Sequence, residues 1–170
     1  MTWCLKSQAT VGVSIGTGYG VASIIPIRLS FQKMLDTRWE PCNTWPIASY
    51  IEGSFYSMHG RKGVEPNSHR YLKAVALAGF LRFERPEALC NVYPYIELGI
   101  GASWLSQKEI GGRDLGFHYQ FEDRLGIGLR FGPCLEYEIG YKAVHFSNAY
   151  LGPRNHGINL HMLVLNYWFS

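Results

Sequence analysis

The stretch Val144–Met162, VHFSNAYLGPRNHGINLHM, sets an imidazole and a hydroxyl two residues apart, at His145 and Ser147. In an extended strand that spacing turns both side chains to one face of the sheet. An imidazole beside a hydroxyl is the smallest pair capable of nucleophilic acyl transfer: the ring takes the proton and the oxygen attacks a carbonyl. A third group must fix the ring's tautomer and angle. Asn159, at the start of the next alternating run, breaks the outward row again, and a turn over Asn148–Gly157 is expected to bring Ser147 opposite Asn159 and His161 opposite His145. His-x-Ser is a weak motif by itself. Polar residues also gather where membrane strands leave the hydrocarbon, and that plain reading explains the same residues without any chemistry.

The elements that must carry these residues are strands. From Leu135 onward one row reads Leu135, Tyr137, Ile139, Tyr141, Ala143, His145, Ser147, and the other Glu136, Glu138, Gly140, Lys142, Val144, Phe146. The segment before it behaves alike, with Phe117 to Phe131 in the apolar row and His118 to Arg130 in the polar one. The last segment sets Leu163, Leu165, Tyr167 and Phe169 on one side. Thr10–Gly18, Ser23–Gln32, Ile47–Met58, Tyr71–Glu84 and Val92–Leu105 complete about eight strands, and helical periodicity is weak throughout.

Such a meander closes either as a soluble barrel with the apolar row inside or as an outer-membrane barrel with that row outside. Three features favour lipid. The polar row holds Arg28, Glu52, Glu97, Glu122, Arg124, Arg130, Glu136, Glu138 and Lys142, charges that can pair inside a small barrel. Short links such as Gly132-Pro133 alternate with long ones such as His59–Arg70 and Ser106–Gly116, with Met34–Thr44 as the exception. The chain also finishes on an apolar row ending in Phe169. The expected fold is all-β, an eight-stranded antiparallel transmembrane β-barrel forming one domain over residues 1–170. Residues 1–9 are read as a periplasmic N-terminal segment. With both termini periplasmic, the seventh strand carries His145 and Ser147 at its external end.

The 170 residues carry a net charge of +3, which suits an anionic membrane surface and does not call for a nucleic-acid partner. The longest clean apolar run, Ala74–Leu81, is too short for a membrane helix. MTWCLKSQ lacks the pattern of a signal peptide; with the barrel expected in the Gram-negative outer membrane, the chain is taken as the mature form with an added start methionine. Cys4, Cys42, Cys90 and Cys134 lack C-x-x-C spacing, which argues against zinc; they fall at the periplasmic end, where disulfides and buried thiols both remain open. GTGYG and GIGASW lie inside strand patterns and are not phosphate loops. His59, His69, His118 and His156 read as solvated or interior histidines. Asp123 is costly on the outward row unless it supports the site or sits at the periplasmic interface.

YKAVHFSNAYLGPRNHGIN (Tyr141–Asn159), together with Gln120-Phe121-Glu122-Asp123-Arg124 and YIELGIGASWLS (Tyr95–Ser106), resembles the lipid A 3-O-deacylase family (PagL). The resemblance runs from about Val11 to Phe169 and is densest in the last third. It implies an eight-stranded outer-membrane barrel with an outward-facing hydrolytic site that removes the 3-hydroxyacyl chain ester-linked at position 3 of lipid A. By matching positions, His145 is the general base and Ser147 the nucleophile. The family's third member, a glutamate, falls at Asn159, whose amide still accepts a bond from the ring but stabilises imidazolium less. A family glycine falls at Tyr150, and Asn148 is the candidate oxyanion donor or supporting residue. Arg61, Lys62, Lys108, Arg113 and Arg154 are candidates for pairing with lipid A phosphates. The chemistry needs neither metal nor organic cofactor, and a homodimer is compatible with it. The rival readings are a non-enzymatic structural or adhesion barrel and a soluble barrel holding an apolar ligand.

Overall fold

The computed structural model describes residues 10–39, 46–60, 69–85, 88 and 91–169. Eight long antiparallel strands form the wall: β1 (Val11–Gly20), β2 (Ile25–Trp39), β3 (Ile47–His59), β4 (Tyr71–Glu84), β5 (Tyr93–Leu105), β8 (Tyr119–Phe131), β9 (Tyr137–Ser147) and β10 (Ile158–Phe169). A hairpin of two-residue strands, β6 (Glu109–Ile110) and β7 (Arg113–Asp114), sits in the loop between β5 and β8. Each long strand pairs with its sequence neighbour, and β1 closes the barrel on β10 from Val11↔Phe169 to Gly20↔Leu160. Closure leaves no strand edge with open hydrogen bonds, which is what a sheet in hydrocarbon requires.

The strand bounds follow the alternation closely, with two differences. Val21–Ser23 form a 3-10 turn with Ala22 and Ser23 at φ 56° and 53°, so the second strand begins at Ile25. That strand also continues past Gln32 to Trp39, with a register shift between Met34 and Arg38. A bulge admits an extra residue and breaks the alternation, which hides such an extension from a period-two reading.

The apolar rows read from the sequence point out. Leu77, Ile100 and Leu163 are 65%, 64% and 65% exposed, a degree of exposure that only lipid contact suits for whole rows. The inward rows hold paired charges at mid-barrel. Glu52 receives Arg28, Arg124, Gln32 (2.6 Å) and Ser54 (2.8 Å). Arg82 bridges Glu97 (2.8 Å) and Glu138 (2.6 Å), while Lys142 meets Glu97 at 2.5 Å. Arg82, a hub of this network, was not among the charges expected from the sequence. Glu136, which was, lies at the β8–β9 turn and accepts the Cys134 N–H (2.8 Å).

Toward the end that carries the β9–β10 loop the inward rows become apolar. Tyr56, Met58, Leu72, Leu105, Val144, Phe146, Ile158 and Leu160 pack with Ile110 and Leu115 from the β5–β8 loop, which close the mouth. Val144 and Phe146 are the inward neighbours of His145, so an apolar plug backs that part of the wall. Cys134 is disulfide-bonded, and Cys4, Cys42 and Cys90 lie outside the described residues.

Candidate active site

Alternation along β9 turns Tyr141, Ala143, His145 and Ser147 outward while Lys142, Val144, Phe146 and Asn148 turn inward and are buried. The β9–β10 ladder pairs Phe146 with Ile158 and His145 with Asn159. This corrects the register expected from the sequence: Asn159 lies opposite His145, His161 lies opposite Ala143, and Ser147 faces Phe121 of β8. A slip of two residues keeps every side chain on its own face, so hydrophobic alternation cannot distinguish the two registers.

The corrected register makes a contact. His145 Nδ1 lies 2.5 Å from Asn159 Oδ1. A carbonyl oxygen only accepts, so Nδ1 carries the hydrogen and donates it, which leaves Nε2 with the free lone pair. That is the tautomer a general base needs. Ser147, on the same outward row, is half-buried and makes no hydrogen bond to His145 in this structure.

Behind the ring lies Gly157 at φ +57°. A Cβ there would stand 3.1 Å from both His145 Cε1 and the Phe146 carbonyl oxygen, so any larger residue is strained at this φ and crowds the ring. The β5–β8 loop holds it in place. Arg113 donates through Nε to the Gly157 carbonyl (2.8 Å) and through Nη2 to that of His156. His156 and Asp114 exchange bonds, and Arg154 pairs with Asp114 at 2.9 Å.

The other expected residues fall as follows. Asn148 is buried, and its N–H groups all serve the loop: the backbone N–H donates to Asn155 Oδ1 (3.1 Å), and Nδ2 donates to the carbonyls of Leu115 (2.9 Å) and Arg154 (2.7 Å). Its position supports the site from behind. Tyr150 takes φ 59°, and Ala149 before it φ 52°, so the chain makes without glycine the left-handed turn that glycine favours. Arg113 is engaged in the loop clamp, Arg154 and Lys108 stay exposed, and Arg61 and Lys62 lie outside the described residues. Asp123 is directly opposite His145 on the β8 side. A second outward pair, Tyr141 OH and His161 Nδ1 at 2.5 Å, lies deeper along the same wall. Gly157 is the positioning residue that sequence reasoning missed, its only trace being its place two residues before Asn159; Arg113, a phosphate candidate from the sequence, is instead bonded to the carbonyls of Gly157 and His156.

The model of the lipid A 3-O-deacylases (PagL) matches residues 25–168. The chain belongs to this family. The lipid A deacylase PagL of Pseudomonas aeruginosa is 29% identical over 160 residues, covering 94% of this chain and 87% of that protein. PagL of Bordetella bronchiseptica is 36% identical over 75 residues, 44% of this chain and 41% of that protein. A crystal structure of the outer-membrane enzyme PagL superposes with a TM-score of 0.82 at 26% identity, covering 93% of this chain and 99% of that one. PagL membership makes this chain an outer-membrane enzyme, a lipid A deacylase, and gives the outward apolar rows their solvent, which is lipid.

Proposed function

We propose that this PagL-family chain removes the 3-O-linked acyl chain of lipid A by a serine–histidine mechanism. The observation that carries the reading is the His145 Nδ1–Asn159 Oδ1 bond of 2.5 Å on the outward wall, with Ser147 on the same row. In the proposed reaction, Nε2 of His145 takes the Ser147 proton as Oγ bonds to the acyl carbonyl carbon. The tetrahedral intermediate collapses, the sugar oxygen leaves with the proton from His145, and an acyl-enzyme remains. Interfacial water then gives a proton to His145 and hydroxide to the acyl carbon; the bond from that carbon to Ser147 Oγ breaks, Oγ takes the proton back from His145, and the fatty acid leaves. The Ser147–His145 hydrogen bond, not made in this structure, forms when substrate arrives, since catalytic hydrogen bonds are often long or unaligned without it. Asn148 acts in support by holding the loop, and Arg154 and Lys108 are the candidates for the sugar phosphates among the described residues.

Presentation from the barrel wall suits the substrate. A lipid ester leaves the bilayer only at great cost, so the nucleophile meets it in the membrane. The test is mass spectrometry of lipid A incubated with the refolded protein. Loss of one 3-O-linked acyl chain is expected; an unchanged mass in an assay where a known deacylase is active overturns the reading.

Asn159 gives the mechanism a finer test. Asn159→Ala removes the acceptor that selects the Nδ1–H tautomer, and the rate should fall roughly a hundredfold or more. Asn159→Glu keeps an acceptor oxygen and adds charge, so its rate should match or exceed that of the native chain. An Asn159→Ala variant with the native rate constant would show that another group orients His145.

A further inference from the structure

The outward row of β8 reads Tyr119, Phe121, Asp123, Leu125, Ile127, Leu129, Phe131, and Asp123 is its one charged residue. A carboxylate facing lipid is destabilising unless something offsets it. Among the described residues Asp123 makes no hydrogen bond and no ion pair. Its cross-strand neighbours are Ile100 on β5 and His145 on β9. Side chains directly opposite in an antiparallel pair have their Cβ atoms about 4.5–5.5 Å apart. The imidazole is therefore flanked on one side by the neutral amide of Asn159, bonded to Nδ1, and on the other by the carboxylate of Asp123.

The reaction assigned to the site needs a negative charge there. When Nε2 takes the Ser147 proton the ring becomes a cation, and the Asn159 amide has no charge to set against it. The remaining groups around the ring do not supply one. Gly157 lies beside Cε1 and carries no charge, Arg113 behind Gly157 is cationic, and His161 and Tyr141 are bonded to each other. Asp114 is turned to Arg154.

We infer that Asp123 is the electrostatic partner of His145, a positioning residue on the neighbouring strand that stabilises the imidazolium formed during deacylation. The charge and the hydrogen-bond acceptor, commonly combined in one carboxylate, are divided here between β8 and β10. This inference rests on the serine–histidine reading, since it concerns the ion that reading creates.

The test is a two-by-two set in the full barrel: native, Asp123→Asn, Asn159→Glu, and both together, assayed for kcat and KM on lipid A. Asp123→Asn should lower kcat about tenfold with KM unchanged, because the charge matters only once the ring is protonated. In the Asn159→Glu background the same replacement should cost about twofold or less, since the carboxylate introduced on β10 then carries the charge. Urea unfolding of Asp123→Asn should show stability at or above native, as the change removes a charge from the lipid face. Equal kcat losses in both backgrounds, or no loss in the native one, would overturn the inference while the native enzyme still deacylates. A native chain that releases no acyl group would remove the underlying mechanism, and this inference with it.

Discussion

Ser147→Ala is expected to abolish acyl release while leaving the barrel intact. Removing the nucleophile of a serine–histidine pair costs on the order of 10⁶ in kcat where the residues act as a unit, and residual rates above water come from binding and oxyanion donors alone. Ser147 lies at the end of its strand on the outward row and makes no hydrogen bond among the described residues, so the substitution removes an oxygen and little else. Lipid A from outer-membrane fractions carrying native or Ser147→Ala protein should differ by one 3-O-linked acyl chain in mass. Heat-modified gel mobility should be the same for both. Identical lipid A profiles would sink the serine as nucleophile and favour a directly activated water.

The second large effect is on stability and lies inside the barrel. Arg82 is fully buried; its guanidinium bonds Glu97 and Glu138 and lies 4.2 Å from the centre of the Tyr95 ring. Arg82→Met keeps most of the volume and strands the carboxylates. Glu97 retains Lys142 at 2.5 Å, but Glu138 is left with Asn166 at 2.7 Å and Arg130 at 3.7 Å. Leaving a buried charge without its partner costs about 3–5 kcal/mol. Urea unfolding in liposomes should show that loss. Arg82→Met with Glu138→Gln should recover part of it, because the stranded charge, more than the lost contact, causes the damage. A neutral Arg82→Met variant would mean that water or rearrangement satisfies the two acids.

Much of this was legible in the residue order. Alternation over Leu135–Ser147 and Phe117–Phe131 defines strands whatever surrounds them, because consecutive side chains in an extended chain must point to opposite faces. That rule placed His145, Ser147 and Asn159 on one face, and the His–x–Ser–Asn–Ala stretch pointed to the family. The interior was only half legible: Arg82 sits among Leu81 and Phe83 and looks like an isolated polar residue until closure brings Glu97 and Glu138 to it. The β6–β7 hairpin was missed because two-residue strands carry no period.

Residue order sufficed for the eight wall strands in outline, for the face each of their residues occupies and for the chemistry those residues offer, since each depends on local backbone geometry and side-chain type. Which residues meet was settled only by folding. A shift of two residues changes no face but replaces Ser147 by His145 opposite Asn159, and with it creates the bond that sets the imidazole tautomer. Folding also set Asp123 across from His145 and Arg113 beneath Gly157. Those neighbours are fixed by ladder register and loop packing, which are long-range agreements between segments that no single stretch of chain contains.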